Sequence, residues 1–202
     1  LESVAGKVDQ TGGTITAGTL GVNAGTSISL ASNNAVATTF AAKATNGDVL
    51  FKNANGYDIN TVAADGTIFT LANGVTAVAA GKNITLDSGG AVTQTAGKDV
   101  TATATGGLEL KGAGAYTLTN ATNNVGTIAA ATGAGVIKYV DADALAVGTV
   151  NTVGITRTGD VLLNNQTGDL TLTQNVAIGA NTLRLESVAG KVDQTGGTIT
   201  AG

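Results

Sequence analysis

Asp141 and Asp143 stand two positions apart, and in an extended segment alternate residues point to the same side. Paired carboxylates are the equipment of glycoside hydrolysis, one protonating the leaving oxygen and the other activating water or attacking the sugar. No other acid lies close in sequence to complete such a site. A calcium β-roll would need a repeated G-G-x-G-x-D array, and Gly89-Gly90 and Gly106-Gly107 lack an aspartate at that spacing. Asp141, Asp143, Asp160 and Asp169 therefore read as solvated turn acids. Composition removes most other chemistry, because the 202 residues include no His, Cys, Met, Trp or Pro. Thiolate nucleophiles, His-based triads, ordinary zinc sites and disulfides are all excluded. The expectation is a protein that is not an enzyme, with no catalytic, cofactor-binding or metal-binding residues and no cofactor.

Three further residue classes have a chemical and a structural reading. Phe40, Phe51, Phe69, Tyr57, Tyr116 and Tyr139 would make a sugar platform if exposed, with Tyr57 and Tyr116 the residues to test. Phe40 aligns with Ile128 in an internal repeat, and that interchange favours the core. The pairs Thr14/Thr16, Thr101/Thr103, Thr117/Thr119 and Thr171/Thr173 resemble an ice-binding ladder but recur at no constant step, so they read as outward strand residues. Lys7, Lys43, Lys82, Lys98 and Arg157 are scattered and read as edge guards or solvated turns. Net charge is −4, which argues against a nucleic-acid partner. No apolar run is long enough to span a bilayer, and no leader segment opens the chain. The sequence begins at Leu1 in mid-pattern, as a piece of something longer would.

The elements that must carry these residues are short strands. Ile28-Ser29-Leu30, Ile84-Thr85-Leu86, Leu108-Glu109-Leu110, Tyr116-Thr117-Leu118 and Leu170-Thr171-Leu172 each place apolar residues two apart. Between such segments fall turn formers, as in Asn46-Gly47-Asp48 and Thr158-Gly159-Asp160. No stretch keeps a helical apolar spacing.

The opening segment 1–18, LESVAGKVDQTGGTITAG, recurs without change at 185–202. The reading is one tandem period over 1–184, with diverged sub-repeats at roughly 8–91 and 92–191, followed at 185–202 by the start of the next. No linker interrupts the chain, so 1–202 forms a single continuous segment. An open-ended repeat of short strands predicts a parallel β-solenoid rather than a barrel or sandwich. At roughly 20 residues per three-strand coil, a period holds about nine coils, or about 45 Å of rod. Asn33 and Asn34, or Asn164 and Asn165, are candidates for polar ladders along it.

The phrase Gly6-Lys7-Val8-Asp9-Gln10-Thr11-Gly12-Gly13-Thr14-Ile15-Thr16-Ala17-Gly18-Thr19-Leu20, with Asn23-Ala24-Gly25 and Ile28-Ser29-Leu30 after it, resembles the repeat region of filamentous haemagglutinin-like exoproteins. These are large adhesins exported by two-partner secretion. The resemblance implies a right-handed parallel β-helix, an extracellular or cell-surface location on a Gram-negative bacterium, and service as a stalk or fibre. The family's Asn-Pro-Asn-type secretion signature is not in this chain. The expected partners are neighbouring repeats of the same protein stacked head to tail, and cell-surface glycans or other cells. The expected function is a structural shaft for adhesion, aggregation or matrix building. The alternatives are a glycan- or receptor-binding face, or a polysaccharide-degrading β-helix acting through Asp141.

Overall fold

The computed structural model describes residues 1–131 and 133–202, with the backbone alone at Ala104. The described residues contain strands, turns and bends and no helix. The chain winds through nine turns, each hydrogen-bonded to the next. One column shows the register: Val8, Ile28, Val49, Ile84, Leu108, Ile128, Val147, Leu172 and Gln194 lie one on another along the axis. These positions number the coils below, from the first at Val8 to the ninth at Gln194. A second column runs through Tyr57, Val92, Tyr116, Ile137, Val161 and Leu183. Among the described residues every pairing between strands is parallel except that of Thr61–Val62 with Ala72–Asn73. The fold is a parallel β-solenoid, as the sequence predicts.

The alternation seen in the sequence becomes an inside and an outside. In Val49–Asn53 the odd-numbered residues are buried and the even-numbered ones half-buried. Inward Val, Ile and Leu from every complete coil merge into one column of core. Each is worth about 1.5–3 kcal/mol on burial, but a lone coil has nothing to bury them against, so stability arises from stacking. Phe40 and Phe51 stack at 3.8 Å with 10° between their planes, and Tyr57 meets both edge-on. Tyr116 and Tyr139 are also fully buried.

Polar side chains tie successive turns together at the corners. Asn34 Oδ1 accepts the Ile15 N–H at 2.8 Å, Asn53 Oδ1 that of Val36 at 2.8 Å, and Asn123 Oδ1 that of Val100 at 2.8 Å. In each case the amide belongs to one turn and the N–H to the turn before. The expected asparagine ladder thus exists at Asn34. Its bonds run mainly from amide to backbone, and Asn33 stands outside it, pointing away from the core.

Another corner is built of glycine. Gly56, Gly90, Gly114, Gly135 and Gly159 follow one another up the rod. A Cβ on Gly114 would strike the Gly90 carbonyl, and one on Gly135 the Gly114 carbonyl. Arg157 fills the space inside this corner, which corrects its reading as a solvated or edge residue. Its side chain is 1% exposed. The guanidinium donates to the carbonyls of Gly112 (2.9 Å), Gly114 (2.9 Å), Ala131 (3.4 Å) and Gly135 (2.9 Å). Stacked glycines leave carbonyls facing inward with no neighbouring side chain, and a planar five-donor group suits them.

Two segments leave the coil path. Along the first column the step from Val49 to Ile84 is much the longest, well beyond those from Val8 to Ile28 and from Ile28 to Val49. The surplus is an excursion over 61–73, pinned by the antiparallel pair and an Asp65–Phe69 bridge. A smaller one spans 149–153 with a Thr149–Val153 bridge. Each lies on an outward-facing glycine: Phe69 and Val62 over Gly21, and Val150 over Gly107.

Candidate functional site

The two aspartates that sequence singled out are adjacent and do not form a hydrolytic pair. The strand Ile137–Asp141 buries Ile137, Tyr139 and Asp141 in turn, so Asp141 points into the rod and is 0% exposed. It is not the solvated turn acid that its sequence context suggests. Its Oδ2 accepts the Tyr139 hydroxyl at 2.6 Å and the Val125 N–H at 3.0 Å, and Oδ1 accepts the Asp143 N–H at 3.2 Å. It therefore takes the same capping position as Asn34, Asn53 and Asn123. Burial pushes its carboxyl up, the three donors pull it down, and it titrates at about 6. Asp143 lies nearer the surface, with Asn124 Nδ2 donating to it at 2.9 Å. A sugar cannot reach Asp141 without opening the coil. Asp160 and Asp169 do act as turn acids, accepting the N–H groups of Thr182 (2.8 Å) and Lys191 (3.1 Å) in the next coil.

Sequence reasoning missed Glu109. It faces outward on Val100–Lys111, yet is 2% exposed because the 149–153 excursion covers it. Thr85 Oγ donates to its carboxylate at 2.9 Å and Asn151 Nδ2 at 3.1 Å, and the Thr152 hydroxyl donates as well. Burial pulls the Glu109 carboxyl upward, but Thr152, Asn151, Thr85 and then Lys111 outweigh it, and its pKa falls below the ordinary value. Glu2 anchors the longer excursion, accepting the Thr70 N–H at 2.6 Å and hydroxyl at 3.1 Å. Two carboxylates thus hold down two excursions. An outward acid with a glycine nearby on the same flank was the available signal.

Phe40, Phe51, Tyr57, Tyr116 and Tyr139 take the core position that the Phe40–Ile128 interchange favours. Tyr57 and Tyr116 are 4% and 0% exposed and face the core. What the flanks do present is apolar: Ile68 and Leu71 on the long excursion are 81% and 54% exposed, and Val153 on the short one 57%. Beside the long excursion lies a groove of about 240 Å³ between Glu2, Asn23, Lys43, Thr45 and Thr70.

The other surfaces able to act are the two ends. Residues 1–18 and 185–202 hold the same local shape. Lys7 pairs with Asp9 at 2.6 Å and Lys191 with Asp193 at 2.8 Å. Gln10 Nε2 donates to the Gly13 carbonyl at 3.1 Å, and Gln194 Nε2 to that of Gly197 at 3.0 Å. Gly13 and Gly197 take φ of 72° and 65°. Neither segment contains a buried residue, and Val192 and Ile199 are 45% and 39% exposed.

Among the described residues no helix is long and apolar enough to cross a membrane. Comparison with protein-family models, curated proteins and solved structures finds no match to this chain.

Proposed function

We propose that this chain is a shaft segment of a secreted bacterial surface filament, a stiff rod serving adhesion, aggregation or matrix building, and that it carries out no catalysis. The supporting observation is that coils one and nine share one sequence and one local conformation. The return of one coil's sequence and shape after 184 residues supports a repeating rod. Eight steps separate those coils, so a period adds about 40 Å at the spacing of paired strands. The resemblance to haemagglutinin-like repeats supports the bacterial, exported setting. Small-angle scattering on chains of one, two and three periods tests the reading. Length is expected to grow by about 40 Å per period at constant cross-section; separate compact beads would overturn it.

A second reading, recognition of a glycan or receptor along the flank, is favoured by the long excursion, which sets exposed Ile68 and Leu71 beside a polar groove. Binding of cells or glycans that survives Ile68→Asp and Leu71→Asp would remove it.

A further inference from the structure

The repeated segment returns to a different face of the rod. A coil has three strand faces, given in the fourth coil by Ile84–Ser88, Val92–Gln94 and the opening residues of Val100–Lys111. Glu2 stands on the third, in the column Glu2, Asn23, Lys43, Thr76, Thr101 and Asn124. Glu186, its repeat, stands on the second. It lies above Val140 and Asn164, and its strand Leu183–Ser187 continues the column of Val92, Tyr116, Ile137 and Val161. A second landmark agrees. Thr16 pairs with Ala35, past the corner where Asn34 accepts the Ile15 N–H. Ile199, the repeat of Ile15, tops a column that runs before that corner, from Leu30 through Leu110 and Ala130 to Val176. The phase slips at the short excursion. Ile128 and Ala130 belong to one strand, but their partners Val147 and Ile155 lie on either side of residues 149–153. Later coils keep a turn there, with Leu172 and Val176, then Gln194 and Ile199, on its two sides. Residues 192–194 therefore close a third face, whereas residues 8–10 open a first.

We infer that successive periods of the rod are turned by one face, about a third of a revolution, so that the long excursion is presented on all three faces in rotation. The face of Glu2 is met again after eight turns at Val192, by way of Leu145 and Leu170, and Glu186 lies one face short of it. Eight turns less one face in three is about seven and two-thirds turns per period, and three periods make a whole number of turns. The excursion marks the phase. Thr70 is held by Glu2, and Asn23 Nδ2 donates to the Thr70 carbonyl at 2.9 Å. The next excursion is due over Glu186, one face away. Exposed Ile68 and Leu71 then recur on any one face every third period, about 110 Å apart at the spacing of paired strands. A surface laid along one face meets only those, whereas a partner that encircles the rod meets every one. The rotation is allowed because turns bond through parallel backbone ladders, which are alike on each face. The repeated segment already occupies both settings, beside Asn23 and Ile28 in one and beside Asn164, Leu170 and Val176 in the other. This rests on the shaft reading, in which the 184-residue period continues, and adds the phase of its repeat.

The chain has no cysteine, so one thiol per period can be labelled alone. Ile68 is 81% exposed. Ile68→Cys is introduced at the corresponding place in each period of a four-period chain, and the thiols are capped with maleimide–gold. Electron tomography of single rods is expected to show the label stepping by about a third of a revolution per period and returning to its first side at the fourth label. Four labels along one side of the rod would overturn the inference and leave the shaft standing. Labels on separate beads with no common axis would overturn both. The unaltered four-period chain gives the same reading without a substitution. Averaged density should show the excursions stepping from face to face, over and above the gradual twist from turn to turn. A rotation per period equal to that twist alone would overturn the inference.

Discussion

At position 141 an acid does the work that amides do elsewhere in the rod, and the difference is measurable. The folded state raises the Asp141 carboxyl from 3.8 to about 6, so folding favours the protonated form. The stability this confers is fully present below about pH 4, is lost as pH rises through 6, and stays lost above; the shift corresponds to about 3 kcal/mol. Asp141→Asn keeps an acceptor for Tyr139 and Val125 and removes the charge. Urea unfolding between pH 4 and 7 is expected to lose that slope in the variant. Tyr57 makes the opposite case. Its hydroxyl is buried with no hydrogen-bond partner among the described residues, so Tyr57→Phe is expected to raise stability by about 1 kcal/mol, and an unfolding midpoint that drops would refute this. Asp141 was legible in principle, because Ile137, Tyr139 and Asp141 alternate and two of the three belong inside. The same holds for Arg157 two places after Ile155. Polar residues were assigned outward by type, and their position in the alternation was the better guide.

At the scale of the element, corners decide the cross-section. Strands are replaceable by any β-branched or apolar alternation, whereas the Gly90–Gly114–Gly135 corner admits no side chain and needs Arg157 to occupy its inner carbonyls. Arg157→Met keeps the apolar stem but strands those carbonyls, a loss of about 3 kcal/mol. Chemical denaturation of the variant should show it, and an unchanged midpoint would mean that the carbonyls find water instead. The coils themselves were plain in the sequence from their alternation and turn formers. The excursions were not, because each is a local insertion with no period of its own. Their partners, Glu2 and Glu109, are distant in sequence and neighbours only after the coil has wound.

At the scale of the molecule, the solenoid was legible because the evidence for it is long-range and exact: the segment 1–18 returns letter for letter at 185–202. Individual column partners were not, since no two neighbouring coils need be equal in length and the step from Val49 to Ile84 far exceeds the rest. That unevenness has a mechanical consequence. The bonds between turns run along the axis, so a load on the two ends of the chain works on one turn at a time. A turn of about 22 residues released under tension yields about 75 Å of slack, and the turn carrying the 61–73 excursion about 120 Å. Single-molecule pulling should therefore record a train of similar yielding events with one longer extension in every period. A rod of this construction lengthens under load in small instalments, so tension on it is capped near the yield force of a single turn.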